Sequence, residues 1–349
     1  MFFETREVDG ETVITPIGCV FVLITLPFWV VIGLLSPVFR WIWGGSSSAY
    51  KTKPLSEETV KRRHRRFFKK ISAQPEEFWG TEIQYTVTEI PKRSGGTRML
   101  SIPSDSLKAL QKHLAKAFDE ELGHRVHKTA NAYIKGRNTI TNAVPHLGCT
   151  VLIKLDIKEF FPSVSREMIE PIIADFTLRE PKAIERLLDI CVTDNGLPQG
   201  APTSPILSNL VMRDFDIAAY RFADLMSAKY TRYADDLTFS LEEDDPAAAR
   251  KIVGAVRSML AEQGFELNDK PNKLNILRGH QAQQVCGITL NSGKPTISRK
   301  QRRKVRAARH AIDNGRPASM SLASVEGWES YIGYIRQNGE CPRFLERAN

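Results

Sequence analysis

Three aspartates carry the chemistry this chain could perform. Asp156 ends a β-branched, apolar run in TVLIKLDIKEFFPSV, residues 150–164, and Asp235 and Asp236 stand side by side in AKYTRYADDLTFSL, residues 228–241. Strands disfavour Asp, and adjacent like charges repel, so the pair calls for an external offset. Mg²⁺ takes oxygen ligands, tolerates an incomplete protein cage and accepts substrate phosphates. Two such ions clamp the attacking and leaving oxygens of an in-line phosphoryl displacement. The first stretch therefore predicts a strand that delivers Asp156 to a sheet rim. The second predicts a hairpin with Asp235 and Asp236 at a turn, where Asp is favoured. Laid side by side, the two would gather three carboxylates. Each Asp alone could be only a turn residue or a strand end; the three together point to a two-metal site.

The rest of the chain must position them. With 349 residues it can bury a sizeable core, and 42% hydrophobic with 26% charged residues is ordinary for a folded protein. The net charge of +9 points to a polyanion, nucleic acid or an anionic membrane surface. Cys19, Cys149, Cys191, Cys286 and Cys341 form no CxxC pair and no zinc spacing, which fits a reducing compartment.

From Thr12 to Phe39 there is no charged residue, and IGCVFVLITLPFWVVIGLLSPVF is long enough to span a bilayer as a helix. Trp41 and Trp43 beside Arg40 suit an interface, and basic residues follow the run. The positive-inside rule then predicts a single-pass inner-membrane protein with its later part in the cytoplasm. A re-entrant hairpin broken at Pro27 stays open. The expected division is a membrane anchor over 1–43, a flexible linker over 44–60 beginning GGSSSAYKTKP, and a globular remainder. KRRHRRFFKK, residues 61–70, suits anionic headgroups, nucleic acid or a solvated helix face.

From about residue 80 to 340 the order of motifs resembles reverse transcriptases. IPKRSGGTRMLSIPSDSLKALQKHL, 90–114, is similar to the fingers hairpin and its following helix, with Lys92 and Arg98 matching the cations that hold the incoming triphosphate. DIKEFF places Asp156 in the first palm motif and Phe161 at the bulky gate that excludes a ribose 2′-OH. NGLPQGAPTSPILSNL, 195–210, matches the next motif, where Gln199 and Gly200 would contact template or nucleotide at close approach. YADD matches the metal-binding hairpin, with Tyr233 near the primer end. GFELNDKPNKLNIL, 264–277, resembles the motif whose lysine protonates leaving pyrophosphate; Leu274 stands where the family has Thr, and Lys273 is preferred over Lys270. The resemblance implies an α+β right-hand polymerase: fingers over 61–149, palm with an antiparallel sheet over 150–297, short helical thumb over 298–349. It also implies two Mg²⁺ ions on Asp156, Asp235 and Asp236, helped by a carbonyl near Ile157, and dNTPs as substrates.

Two further elements resemble retron reverse transcriptases. Asn142-Ala143-Val144-Pro145-His146 matches their NAxxH element, and Val285-Cys286-Gly287 resembles VTG with Cys286 replacing Thr. Both imply recognition of a cognate structured RNA, with Asn142 and His146 offering polar atoms to base edges or 2′-OH groups. SRKQRRKVRAARH, 298–310, as a helix would carry Arg299, Arg302, Arg303 and Arg306 on one side, suiting a phosphate-tracking thumb. The next segment resembles the thumb's packing helix, with Trp328, Tyr331 and Tyr334 in its core. No RNase H-like, maturase or HNH region is expected after it, which disfavours a group II intron protein. The resemblance implies a noncoding RNA as template and primer, priming from a 2′-OH, a DNA product, and antiphage defence with an effector. The apolar segment, in contact with membrane lipid, is a candidate effector; a separate effector or a second copy of the chain is the other partner considered. Two alternatives remain: another defence-associated or abortive-infection reverse transcriptase, and a non-catalytic, membrane-tethered RNA-binding protein.

Overall fold

The computed structural model of the protein describes residues 4–8, 11–15, 57–71, 73–91, 96–177 and 181–339. At the N-terminus, strands β1 (Glu4–Val8) and β2 (Glu11–Thr15) pair antiparallel, Glu4 opposite Thr15 and Val8 opposite Glu11. This corrects the expected membrane span. Among the described residues no helix is long and apolar enough to cross a membrane. The first four residues of the charge-free run, Thr12 to Thr15, are strand. They are all β-branched, which suits a pleated ladder better than a helix. Residues 16–43 lie outside the described residues. The single-pass inner-membrane location inferred from that span goes with it.

From Glu58 onward the chain forms one compact unit. Helix α1 (Glu57–Ile71) begins inside the stretch expected as linker, and α2 (Pro75–Gly80) follows. The basic run thus lies on a helix. Arg62, Arg65, Arg66 and Lys69 are exposed, while Phe67 and Phe68 pack edge-on against buried Phe78. A hairpin of β3 (Tyr85–Pro91) and β4 (Thr97–Pro103) leads into α3 (Asp105–Leu122). Ser104 caps α3, and Leu107, Leu110, Leu114, Phe118 and Leu122, at helical spacing, bury one face.

A short helix α4 (Thr139–Ala143) precedes strand β5 (Val151–Asp156). Then come α5 (Arg166–Phe176), α6 (Pro181–Cys191), α7 (Ser204–Val211) and α8 (Arg213–Leu225). The predicted hairpin follows as β6 (Ala228–Tyr233) and β7 (Asp236–Leu241), then α9 (Pro246–Glu262) and β8 (Asn275–Arg278). Small strands β9 (Gln284–Val285), β10 (Ile288–Thr289) and β11 (Thr296–Ile297) form a sheet of their own. Helices α10 (Arg299–Asp313) and α11 (Leu322–Gly339) complete the described chain.

The main sheet runs β6-β7-β5-β8, antiparallel throughout. Val151, Leu152, Ile153 and Leu155 of β5 are all buried, so this strand is covered on both faces. That explains its near-continuous apolar sequence. Ile153, Leu155, Phe215, Phe239 and Phe265 belong to the main core, where each large side chain stabilises by about 1.5–3 kcal/mol. Leu152, on the other face, joins Ile140, Ala143, Val285, Ile288, Leu290, Ile297 and Ile335 in a second core. There β5, α4, the small sheet and α11 meet. Trp328 and Tyr331 of α11 are half-buried against it, as expected, but Tyr334 is exposed, its hydroxyl accepting a 3.1 Å hydrogen bond from Asn138 Nδ2.

Candidate active site

Register brings the acids together. In the β5–β7 ladder Asp156 lies directly opposite Asp236, and in β6–β7 Tyr233 lies opposite Asp236. The hairpin loop is therefore only Ala234-Asp235. Ala234 has φ 57, the left-handed region usually left to glycine. Asp235 is tied to the neighbouring strand, its carbonyl accepting from Ile157 N at 3.0 Å. Since the Ile157 amide faces the hairpin, its structural part here is as that donor.

A buried ion pair braces the hairpin from behind. Arg232 and Asp216 are both fully buried, joined by Nε–Oδ1 at 2.8 Å and Nη2–Oδ2 at 2.7 Å. Arg232 Nη1 donates to the Ala234 carbonyl at 3.1 Å, and the Tyr230 hydroxyl donates to Asp216 Oδ1 at 2.8 Å. The guanidinium thus fastens the strained alanine to α8. A bidentate, fully hydrogen-bonded geometry is what lets such a pair offset its desolvation. The sequence reading passed over both residues, because nothing in an Arg on a strand and an Asp on a helix reveals that they meet.

The carboxylates sit in an anionic pocket. Burial, then the charge of Asp236 and that of Asp156, push the Asp235 carboxyl up to about 6. Surrounding protein also raises Asp236, with Lys154 working against and Asp156 adding to the shift. Asp156 itself is buried, and Asn268 Nδ2 donates to its Oδ1 at 2.7 Å while Lys273 Nζ donates to Oδ2. Lys273 keeps its proton more firmly than a free lysine: burial opposes the charge, but Asp156, Asp235 and Asp236 outweigh it. Lys270 makes no such contact; its amide bonds Asn268 Oδ1 at 3.3 Å. Among the described residues no three His, Cys, Asp or Glu side chains form a ready-made metal cage. The donor chemistry nevertheless fits Mg²⁺. All three acids offer hard oxygens, and the raised Asp235 value marks negative charge that a cation would offset.

Around the carboxylates the other expected residues divide. Arg98, on β4, is exposed, whereas Lys92 lies outside the described residues. Phe161 is half-buried, edge-on to Phe160 at 5.5 Å, and its carbonyl accepts from Leu197 N at 3.0 Å. Gly196 is required there, since a Cβ would stand 2.4 Å from the Pro162 carbonyl. Gln199 accepts through its carbonyl from Ser101 N at 2.8 Å. The close approach predicted for Gly200 exists, but its partner is protein: at φ +124 a Cβ would come 2.8 Å from the Ser101 carbonyl. The 199–200 segment thus docks β4, and with it Arg98, onto the main unit. Tyr133 is a residue the motifs did not flag; its ring meets Phe161 edge-on at 6.4 Å. Tyr233 is half-buried, its phenol raised by burial and by the nearby Cys286 and Tyr331.

Asn142 and His146 correct the expectation of direct RNA contact. Both are fully buried. His146 Nδ1 bonds Ser240 Oγ at 2.7 Å and Nε2 bonds Thr231 Oγ1 at 2.8 Å, spanning β7 and β6. Burial pushes its imidazole down to about 3, so it is neutral. Asn142 Nδ2 donates to Cys286 Sγ at 3.5 Å, and its carbonyl accepts from Thr231 Oγ1 at 3.1 Å. Val285 is core, Cys286 holds φ 48 and is half-buried, and Gly287 is exposed. The two elements are therefore one interlocked piece behind the catalytic sheet, with only Gly287 of the five residues open. On α10, Arg299, Arg303 and Arg306 are exposed as expected, but Arg302 is half-buried with an unpartnered buried Nε. Val305 and Ala308 turn the other way onto Val325 of α11.

The sequence that builds this site matches known proteins. The reverse transcriptase (RNA-dependent DNA polymerase) family model covers residues 90–294, more than half of the chain. The chain is similar to the retron Mx65 reverse transcriptase of Myxococcus xanthus, 34% identical over 265 residues, covering 71% of this chain and 60% of that one. It is similar to the retron Mx162 reverse transcriptase of the same organism at 31% over 284 residues, covering 72% and 58%. To the retron Ec86 reverse transcriptase of Escherichia coli it is 30% identical over 257 residues, covering 72% and 76%. The chain thus spans about 60% of the length of the two Myxococcus relatives. With the acids in register across β5 and β7 and a family match that runs through both strands, the chain belongs to the reverse transcriptases, RNA-dependent DNA polymerases, and among them to the retron type.

Proposed function

We propose that the protein joins deoxynucleotides into DNA complementary to a cognate structured noncoding RNA, which serves as both template and primer. The observation that carries this reading is the register of Asp156 opposite Asp236, with Asp235 one residue away at the hairpin tip. Asp156, Asp235 and Asp236 would hold two Mg²⁺ ions, which when bound supply charge neutralisation at the attacking and leaving oxygens. The chain's own part is positional. Arg232 and Ala234 fix the hairpin, and Arg98, carried on a strand docked to Gln199, supplies a cation for the triphosphate. Lys273, protonated and held beside Asp156, is the proton donor at hand for leaving pyrophosphate. The exposed Arg299, Arg303 and Arg306 track the phosphates of the template duplex as a thumb.

Kinship with retron enzymes supports the RNA partner, priming from a 2′-OH and a place in antiphage defence. The test is primer extension by the purified full chain with Mg²⁺, dNTPs and the transcript encoded beside its gene. Wild type should yield RNA-linked DNA, and the Asp235→Asn, Asp236→Asn double variant none. Absence of a DNA product from the wild type, or equal product from both, refutes the reading.

A further inference from the structure

Tyr133 combines three features that packing alone does not explain. Its backbone lies at φ 62, a conformation that glycine or asparagine adopts far more readily than an aromatic residue. Its side chain is 52% exposed, so the core does not require it. And its loop is held from every side. Ala130 bridges to Arg232 of β6, and Asn131 N donates to the Arg232 carbonyl at 2.8 Å. Buried Asn209 Nδ2 donates to the Ala132 carbonyl at 2.9 Å, and Arg137 Nη1 donates to the Ala130 carbonyl at 2.6 Å. A strained residue persists where its surroundings over-determine it, and such residues cluster where a side chain must be aimed.

The aim is definite. The ring stands edge-on to Phe161, centroids 6.4 Å apart with planes at 63°. Its phenol also lies in the field of Asp235, Tyr233 and Arg98, the acid, aromatic and cation of the site. Phe161 is supported from the core side by Phe160, and Tyr133 supports it from the open side.

We propose that Tyr133 is a specificity-determining positioning residue: it holds the Phe161 ring from the solvent side and thereby sets the space beside the sugar of the incoming nucleotide. This rests on the polymerase reading above and on the gate role that the resemblance implies for Phe161. Removing the ring frees Phe161 to swing outward, and the space then admits a 2′-OH.

The test measures incorporation of a single dNTP and of the matching rNTP on a primed RNA template, by the full chain with Tyr133→Gly and Tyr133→Phe. In Tyr133→Gly the preference for dNTP over rNTP should fall about tenfold, the scale on which one small group is discriminated in an apolar pocket. The change should lie in the rNTP KM more than in kcat for the dNTP. Tyr133→Phe keeps the ring and should stay near the wild-type ratio. Glycine suits the left-handed backbone, so the Tyr133→Gly melting temperature should remain close to wild type. Unchanged selectivity in Tyr133→Gly overturns the inference, as does selectivity lost only together with a large fall in melting temperature, or equal loss in Tyr133→Phe. A wild type that makes no DNA refutes the polymerase reading itself, and this inference falls with it.

Discussion

Replacing Asp216 with alanine would leave the Arg232 guanidinium fully buried without its counter-charge. Two bonds of 2.8 and 2.7 Å to Asp216 would be lost, and the Tyr230 hydroxyl would lose its 2.8 Å acceptor. Breaking a buried pair on one side costs about 3–5 kcal/mol, most of it the isolated charge. At roughly 2–4 °C per kcal/mol, melting should fall by roughly 6–20 °C. Arg232 also anchors the Ala234 carbonyl, so primer extension should fall as well. The decisive comparison is the double variant Asp216→Leu, Arg232→Met. With no charge left to desolvate, it should recover most of the lost melting temperature. It should not recover DNA synthesis, since nothing then fastens Ala234. Differential scanning calorimetry and single-turnover extension read the two effects separately. If Asp216→Ala melts within about 2 °C of wild type, or the double variant regains activity, the brace is not what holds the hairpin.

Three further outcomes follow from the geometry. Asp235→Asn should melt higher than wild type at neutral pH without metal. The carboxyl is raised from 3.8 to about 6, so ionising it disfavours the folded state as pH climbs through that window, and asparagine removes this; wild type, but not the variant, should be stabilised strongly by Mg²⁺. His146 is depressed from 6.5 to about 3, so the unfolded chain takes its proton first, and stability should decline as pH drops below about 6.5, by up to about 1.4 kcal/mol per unit. His146→Gln should flatten that slope between pH 6.5 and 5 in denaturant titrations. Replacing Arg299, Arg303 and Arg306 together by Gln should reduce the salt slope of binding to a primed template duplex by about 3 while leaving melting unchanged, because each phosphate contact releases about 0.9 counterion on a duplex.

The strands that carry the acids were legible because their residues have one physical preference. Val151 to Leu155 is apolar apart from Lys154, and Ala234-Asp235 is a turn between two runs rich in Thr, Tyr, Phe and Leu. The α+β class came from the resemblance of the motif order to reverse transcriptases, and the structure gives the expected helix after the hairpin a buried face of Leu107, Leu110, Leu114 and Phe118. Depth was not legible. Asn142 and His146 read as polar atoms on offer, yet both are sealed inside, since a sequence does not say that Thr231 and Ser240 will supply the partners. Tyr133 gave no signal because a φ of 62 leaves no mark on residue type when the residue is not glycine. The start of the apolar N-terminal stretch misled because hydropathy counts side chains and ignores pairing; Thr12 to Thr15 find their hydrogen bonds in a neighbouring strand.

The segment around α4 has contacts in two directions. Toward the hairpin it holds Thr231 and Ser240 through His146; toward α11, Asn138 donates to Tyr334 at 3.1 Å and Thr139 bonds Tyr331 at 3.1 Å. It is in effect an axle between two wheels. Its hydrogen bonds thus tie α11, through one short segment, to the two strands whose turn presents Asp235 and Asp236. On the proposed polymerase reading, Tyr331→Phe with Tyr334→Phe removes both bonds to α11 and should shorten runs of synthesis while single-nucleotide addition persists, read as product length in primer extension.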